Sequence, residues 1–176
     1  AASSDYPLRD VYKRQALTPS GIACKGSVIG LASSETGINY QLRWNGSINI
    51  GAPVAGTGSP IDFGPQNLSG IYTVMATNSH GCFSMMSSSV EINPVPVSFN
   101  LIPSGTQCQG TSLGIDGSEV NANYVLVLNG NVMVDTIPGT GSTISFGPQL
   151  TSGNYSVFAY FTATNCQSAM NGTSII

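Results

Sequence analysis

Apolar and polar residues alternate along much of the chain and predict short β-strands. The clearest run is INYQLRW at residues 38–44, where every second side chain is apolar and the intervening ones are polar. This period of two is typical of a strand that buries one face. The dipeptide Asn45-Gly46 follows directly and favours the tight turn of a β-hairpin. No window has a convincing helical period, so the pattern predicts an all-β chain.

The same pattern occurs twice. LTPSGIACKG at residues 17–26 returns as LIPSGTQCQG at residues 101–110, and the word FGPQ occurs at residues 63–66 and again at 146–149. The copies are offset by 84 residues in the first case and by 83 in the second. A repeat of this kind is the sequence signature of tandem modules. We therefore expect two copies of one module, at residues 16–93 and 94–176.

Each copy contains about seven runs that predict strands. Turn residues separate these runs at intervals of about 8 to 12 positions, which is typical of an immunoglobulin-like β-sandwich. The predicted fold class is all-β, with two tandem immunoglobulin-like antiparallel β-sandwich modules of about seven strands each.

Tyr72 and Tyr155 occupy equivalent places at the start of the penultimate predicted strand, two residues after a glycine. In β-sandwiches this place is typical of a tyrosine corner, whose hydroxyl bonds back to nearby backbone. A plain core tyrosine is the alternative. FGPQ lies just upstream, and its glycine and proline are expected to end one strand and begin the crossing to the other sheet.

The charge balance excludes two classes of partner. Five residues are Lys or Arg and eight are Asp or Glu, and outside residues 1–15 the only basic side chains are Lys25 and Arg43. A nucleic-acid binder needs basic residues to neutralise phosphates, so neither nucleic acid nor an anionic membrane surface is expected as a partner. No apolar run approaches the roughly 18 residues of a membrane span, so membrane insertion is not expected either.

Residues 1–15 differ from the remainder. DVYKRQ at residues 10–15 matches the in-frame translation of a transposon end used to make sequencing libraries, and we expect this segment to be an artefact. An ordinary basic N-terminal arm is the alternative. Module 1 would then lack its first strand, whose counterpart in module 2 is expected in PVPVSFN at residues 94–100. A proline-rich linker is the alternative for these residues. Ile176 aligns with the last residue before that linker, so we expect a fragment of a longer repeat array.

Each module carries two cysteines 58 residues apart, Cys24 with Cys82 and Cys108 with Cys166. An even count in register favours disulfides and an oxidising, extracellular compartment. In a sandwich of alternating strands, however, the two would lie at opposite ends of a module, whereas a disulfide needs Cα atoms within about 7 Å. A bond within each module is preferred. Free thiols, or a bond between neighbouring modules from Cys24 to Cys166, are the alternatives.

Residues suited to catalysis or metal binding are sparse. His80 is the single histidine and lies in the turn SHGC, and module 2 has no histidine at that place. A Ser-His or Cys-His catalytic pair is therefore not expected. Asp116 and Glu119 are the only neighbouring acids outside residues 1–15, and a solvated loop is preferred there over a calcium site. The sequence predicts no enzyme, no catalytic residue, no metal and no cofactor.

The motifs CKGSVIGL, NYQLRWNG and SGIYTVMATN, with their second copies, resemble the tandem immunoglobulin-like repeats of very large secreted surface proteins of Bacteroidota. The resemblance covers residues 17–176, and its motifs are structural rather than catalytic. It implies a seven-stranded sandwich, export by the type IX secretion route, and a place in a long adhesin-like polypeptide that is extracellular or attached to the cell surface.

Two functions are consistent with these features. The first is a structural spacer or stalk whose partners are neighbouring modules of the same chain, with the linker NPVPV at residues 93–97 stiffening the joint. The second is a carbohydrate-binding module accessory to a secreted enzyme, for which Phe158 and Tyr160 are candidate ligand-binding residues. Core packing, or contact with an adjoining module, is the alternative role for this pair. Glycans and other cell-surface proteins are further candidate partners.

One short motif concerns modification. Asp135-Thr136-Ile137 resembles the acceptor motif for bacterial O-glycosylation in the same phylum, which makes Thr136 a candidate glycosylation site.

Overall fold

The computed structural model describes residues 15–176, in which every regular element is a β-strand. Most of the segment expected to be an artefact, residues 1–14, lies outside the described residues. The chain divides into two compact units, with the boundary between Pro94 and Val95. Each unit is one copy of the sequence repeat, and we call them module 1 and module 2.

Module 1 consists of two sheets packed around one core. The smaller sheet has the strand order β1-β3-β6, and the larger has the order β2-β9-β7-β4-β5, with β8 paired to β7. Its strands are β1 Leu17–Thr18, β2 Gly21–Cys24, β3 Val28–Leu31, β4 Ile38–Trp44, β5 Ile48–Ala55, β6 Ile61–Pro65, β7 Gly70–Asn78, β8 Phe83–Met85 and β9 Val90–Asn93.

Module 2 repeats this topology. Its sheets have the orders β10-β12-β15 and β11-β18-β16-β13-β14, with β17 paired to β16. Its strands are β10 Leu101–Ile102, β11 Gly105–Thr106, β12 Ser112–Ile115, β13 Ala122–Leu128, β14 Val132–Pro138, β15 Ile144–Pro148, β16 Asn154–Phe161, β17 Gln167–Ala169 and β18 Ser174–Ile175. Because the first and last strands are each broken in two, nine segments make seven strands. The prediction of two immunoglobulin-like sandwich modules is confirmed.

The first strand of each module changes sheet at a proline. In module 1, β1 pairs antiparallel with β3 before Pro19, and β2 pairs parallel with β9 after it. In module 2, β10 and β11 do the same on either side of Pro103. Each of these prolines follows a cis peptide bond. One short strand therefore contributes to both sheets.

The structure corrects the expected position of this first strand. Residues 94–100 form no strand, and their one ladder contact is an isolated bridge from Asn100 to Asn171. Prolines 94 and 96 have no N–H to donate, so this segment is poorly suited to a ladder. The first strand of module 2 begins instead at Leu101, and its counterpart in module 1 is Leu17–Thr18. Module 1 therefore has the first strand that it was expected to lack.

The same positions make the core of both modules. Strand β4 buries Ile38, Tyr40 and Leu42, as its period of two predicts, but it also buries Gln41 and leaves Trp44 half-buried. Strand β13 buries the counterparts of the first three and is buried continuously over residues 124–128. Four tyrosines are among the largest fully buried side chains: Tyr40, Tyr72, Tyr124 and Tyr155. A buried hydroxyl is costly unless it is hydrogen-bonded, so the partners of these hydroxyls matter for stability.

All four hydroxyls bond to backbone five residues or fewer away. Tyr72 donates to the carbonyl of Leu68 at 2.9 Å, and Tyr155 donates to that of Thr151 at 2.7 Å. These two bonds are tyrosine-corner contacts. Burial also raises the pKa of Tyr72 above its usual value.

The other two tyrosines hold a different loop. The hydroxyl of Tyr40 accepts the N–H of Glu35 at 2.9 Å, and that of Tyr124 accepts the N–H of Glu119 at 2.8 Å. Burial raises the pKa of Tyr124 as well. A side chain at Gly139 would collide with the Glu119 carbonyl oxygen and would lie 2.9 Å from Cε2 of Tyr124. This loop can therefore pack against the ring only where the facing residue is glycine.

The repeated word FGPQ ends the last strand of the smaller sheet. Its glycines, Gly64 and Gly147, have φ angles of 80° and 71°, a region that favours glycine. Its glutamines, Gln66 and Gln149, are buried. The side chain of Gln149 donates to the carbonyl oxygens of Phe146 and Gly147, both at 3.1 Å, and Gln66 makes the matching pair of bonds at 3.2 and 3.0 Å. The glutamine thus binds the two carbonyls of its own turn and holds the turn in place.

We predict that Gln149→Ala lowers the free energy of unfolding of module 2 by about 1–2 kcal/mol, because two carbonyls near the core lose their donor. Urea unfolding followed by circular dichroism measures this change. Gln167→Ala, at an exposed position of the same module, is the matched control and should leave the midpoint unchanged. Equal effects of the two substitutions would contradict the assigned role of Gln149.

Candidate functional site

The candidate aromatic pair lies on the outer face of β16. Tyr155, Val157 and Ala159 are buried in the core, whereas Phe158 and Tyr160 are half-buried on the opposite face, because successive residues of a strand point to opposite sides. The ring centroids of Phe158 and Tyr160 are 6.4 Å apart and the planes are tilted by 34°. The pair therefore forms a short aromatic row along the strand.

Neighbouring strands give the two rings different surroundings. Phe158 is in register with Val125 of β13 and with Ala169 of β17, so its cross-strand neighbours are apolar. Tyr160 is in register with Asn123 and Gln167, and its hydroxyl accepts a hydrogen bond of 3.2 Å from Nδ2 of Asn123. An aromatic face beside amide groups can stack on an apolar ligand surface and bond to its polar edge.

Module 1 has a different surface at the same place. Met75 and Thr77 replace the two aromatic residues, and Gln41 replaces Val125. Gln41 is buried and donates through Nε2 to the carbonyl oxygens of Leu42 and Ile50, at 2.9 and 3.0 Å. Nη1 of Arg43 lies 3.9 Å from the sulfur of Met75. The outer faces of the two modules thus differ, although the cores match.

Two acids of module 2 hold the segment that precedes its first strand. Asp116 accepts hydrogen bonds from the backbone N–H of Asn100 at 2.8 Å and from its side-chain amide at 2.6 Å. Glu119 accepts the backbone N–H of Val97 at 2.6 Å. The bonds from Asn100 lower the pKa of Asp116. Asp116 is exposed, in line with the solvated loop that the sequence predicts, and both carboxylates also bind the chain itself.

No metal-binding cluster is found in the described part of the chain, where no three His, Cys, Asp or Glu side chains are grouped closely enough to hold an ion. His80 is an exposed turn residue. Its backbone N–H, like that of Cys82, donates to Oδ1 of Asn78, at 3.0 and 2.9 Å respectively. Its Nδ1 lies 3.4 Å from the hydroxyl oxygen of Ser79.

The cysteines differ from the preferred pairing. Cys24 and Cys166 are each in a disulfide, whereas Cys82 and Cys108 are free and exposed. Both intramodule bonds are therefore excluded, because each would require one of the free cysteines. The reason is the topology: Cys24 ends β2 beside Asn93, while Cys82 lies in the turn between β7 and β8. The pairing of Cys24 with Cys166 stays a prediction.

Thr136, the candidate glycosylation site, is exposed. It lies in β14, the outermost strand of the larger sheet of module 2, and its N–H bonds to Oδ1 of Asp135 at 2.7 Å.

A depression of about 480 Å³ lies against β10, β12 and β15, and no titratable side chain is among the residues that line it. No helix among residues 15–176 is long and apolar enough to cross a membrane.

Comparisons with known proteins concern the fold. No protein-family model and no curated protein matches the sequence. Among solved structures, the chain is similar to a two-domain fibronectin type III segment of chicken tenascin, with a TM-score of 0.44, 9% identity, and coverage of 93% of this chain and 98% of that chain. It is also similar to the insect immune protein hemolin, with a TM-score of 0.42, 17% identity, and coverage of 93% and 46%.

A third similar structure is bacterial. It is a Bacteroides ovatus protein of the mixed-linkage glucan utilization locus in complex with a mixed-linkage heptasaccharide, with a TM-score of 0.30, 13% identity, and coverage of 88% of this chain and 42% of that chain. With TM-scores of 0.44 or less and identities of 17% or less, these three likenesses carry no argument about this chain.

The bonds to Asp116 predict a pH dependence of stability. Because its pKa is lowered in the folded state, the carboxylate contributes stability above its unfolded pKa of about 3.9, and this contribution is lost as pH falls through the folded value. The native protein should therefore be more stable than Asp116→Asn near neutral pH, and the difference should vanish in acid. NMR titration of the carboxyl carbons measures the pKa directly. Asp135→Asn is the control, and a pKa of Asp116 at or above the usual value would refute the assignment.

Proposed function

We propose that the two modules are structural repeats, a spacer or stalk within a large extracellular, adhesin-like cell-surface protein, and that they carry out no catalysis. The observation that supports this function is the division between what the two copies share and what they do not. Shared residues make many of the hydrogen bonds that hold the fold, whereas the residues at the candidate ligand-binding positions differ.

The shared bonds extend beyond the tyrosines and glutamines. Asn45 accepts the N–H of Ile71 at 3.1 Å, and Asn129 accepts that of Asn154 at 2.9 Å. The serines of one loop also match, since Ser34 and Ser118 each donate to a backbone carbonyl and accept a backbone N–H. Every one of these bonds joins a side chain to the backbone of its own module. Both copies of the repeat therefore keep the same side-chain bonds that stabilise the fold.

The differing residues include the candidate ligand surface. Phe158 and Tyr160 have Met75 and Thr77 as counterparts, and neither of these offers an aromatic ring. A ligand site that was the reason for the duplication would be present in both copies. Its restriction to one module favours the spacer over a repeated binding module.

The linker and the cysteines support the same proposal. Prolines 94 and 96 restrict the backbone of the linker, and the bond from Val97 to Glu119 fixes its end against module 2. The disulfide state of Cys24 and Cys166 fits an oxidising compartment outside the cytoplasm. The resemblance to Bacteroidota surface repeats supports export by the type IX route. Neighbouring modules of the same polypeptide are then the principal partners.

Carbohydrate binding is the second candidate function, as an accessory module of a secreted enzyme. The observation that favours it is the row of Phe158 and Tyr160 with Asn123 beside it. Sugar rings stack on aromatic faces while amides bond to their hydroxyls, and this row offers both groups on one sheet face, where the two rings are half-buried.

A glycan array distinguishes the two functions. We expect the folded chain to bind no glycan on the array, because the proposal assigns the outer face of β16 to packing and solvent contact. The matched variant is the double substitution Phe158→Met and Tyr160→Thr, which gives module 2 the residues of module 1. It should unfold at a similar urea concentration to the native protein. Glycan binding that this variant loses would reject the spacer in favour of carbohydrate binding.

Thr136 is proposed as an O-glycosylation site of the secreted protein. Its exposure on an outermost strand leaves room for a glycan, and the acceptor resemblance supports the choice. Intact mass after secretion from a Bacteroidota host should exceed the polypeptide mass, and Thr136→Ala should remove the excess. Thr140→Ala, in an exposed loop of the same module, should retain it. An unmodified native chain would argue against the site.

A further inference from the structure

Each module carries one cysteine at each of its ends. We define the leading end of a module as the end where the chain enters it and the trailing end as the one where the chain leaves. Cys24 is at the trailing end of module 1, because it is in register with Asn93, the last residue of β9, and the next N–H, that of Lys25, bonds to the Asn93 carbonyl at 2.8 Å.

Cys108 has the same position in module 2. It follows β11, which pairs parallel with the final strand β18, and the N–H of Gln107 bonds to the carbonyl of Ile175 at 2.8 Å. Cys108 is therefore beside the last residues of its module. Cys24 and Cys108 are equivalent in sequence and in place, and both are trailing-end cysteines.

The remaining two cysteines are at the leading ends. Cys166 directly precedes β17, and this strand contacts the residues that enter module 2, since Ser98 donates its hydroxyl to the Ala169 carbonyl at 2.8 Å. Cys82 is its equivalent and likewise directly precedes β8, the counterpart of β17. Cys82 and Cys166 are therefore the leading-end cysteines.

The oxidation states divide each equivalent pair. The trailing-end cysteine is in a disulfide in module 1, as Cys24, and is a free thiol in module 2, as Cys108. The leading-end cysteine is in a disulfide in module 2, as Cys166, and is a free thiol in module 1, as Cys82. The fold thus supports a disulfide at both kinds of position. The free members are exposed, and each has a disulfide-bonded counterpart in the other module.

We propose that Cys108 of one copy of this chain forms a disulfide with Cys82 of a second copy, joining the copies end to end. One cysteine of each kind is already oxidised, and one of each kind is left, so the proposed bond joins a trailing end to a leading end. Such a contact is heterologous, and heterologous contacts that do not close into a ring produce linear assemblies. This linkage is independent of whether the modules bind glycans.

Glutathione disulfide serves as the oxidant. The Cys108 thiolate attacks one of its sulfurs, forming a mixed disulfide and releasing one glutathione, which takes up the thiol proton. The Cys82 thiolate of the second copy then attacks the Cys108 sulfur, forming the protein disulfide and releasing the second glutathione. Two protein thiols are oxidised and one glutathione disulfide is reduced to two glutathione molecules.

The test uses the full chain, produced in an oxidising compartment and incubated in a glutathione redox buffer. On a non-reducing denaturing gel we expect a ladder of dimers, trimers and larger species, which collapses to monomer when dithiothreitol is added. Mass spectrometry of the digested dimer should identify a cross-linked peptide that contains Cys82 and Cys108.

Two single variants test the polarity of the bond. Cys82→Ser and Cys108→Ser should each remain monomeric alone, because each lacks one partner. An equimolar mixture of the two should form a dimer and nothing larger, since one free thiol of each kind is present. Both substitutions are at exposed positions, and an unchanged circular dichroism spectrum confirms that the variants fold.

Three results would overturn the proposal. The first is a dimer formed by either single variant alone, because that dimer would join two cysteines of the same kind. The second is a mixture that stays monomeric. The third is a native chain that remains monomeric in the redox buffer, whether its two thiols stay free or bond to each other within one chain.

Discussion

The need to satisfy four buried tyrosine hydroxyls determines much of the structure of both modules. A hydroxyl removed from water needs a partner, and in each module that partner is a backbone group of a loop rather than another side chain. Tyr72 and Tyr155 fix the approach to the penultimate strand. Tyr40 and Tyr124 fix the loops that follow β3 and β12, where a glycine must face the tyrosine ring. The packing of the four tyrosine rings in the cores and the conformation of the loops that bond to their hydroxyls therefore depend on each other.

The sequence predicted the parts of the fold that depend on local periodicity. Strand faces follow from alternation, so the burial of Tyr72, Val74 and Ala76 on one side of β7 was predictable. The position of the first strand was not, because the pattern of residues 94–100 resembles a strand while their prolines lack the donors that a ladder needs. The glutamines of FGPQ were also missed. Their role depends on the conformation of the turn, which brings two carbonyl oxygens within reach of each side-chain amide.

The candidate surface was predictable in part for the same reason. Phe158 and Tyr160 flank the core residue Ala159 along β16, so the period of two places both rings on the outer face as a local property. The roles of Asp116 and Glu119 are not local, because they bind backbone groups more than fifteen residues away along the chain. The sequence predicted a solvated loop, and Asp116 is exposed. What it did not predict is that the hydrogen bonds of the two acids connect the linker to a loop of the sandwich.

The parallel pairing of β2 with β9 has a mechanical consequence. These strands are close to the two ends of module 1, and four residue pairs join them in register from Gly21 with Val90 to Cys24 with Asn93. When the ends of the module are pulled apart, parallel strands slide along their common axis, so the bonds are sheared together instead of opening one after another. The parallel pairing of the first and last strands therefore resists stretching of module 1 along its length.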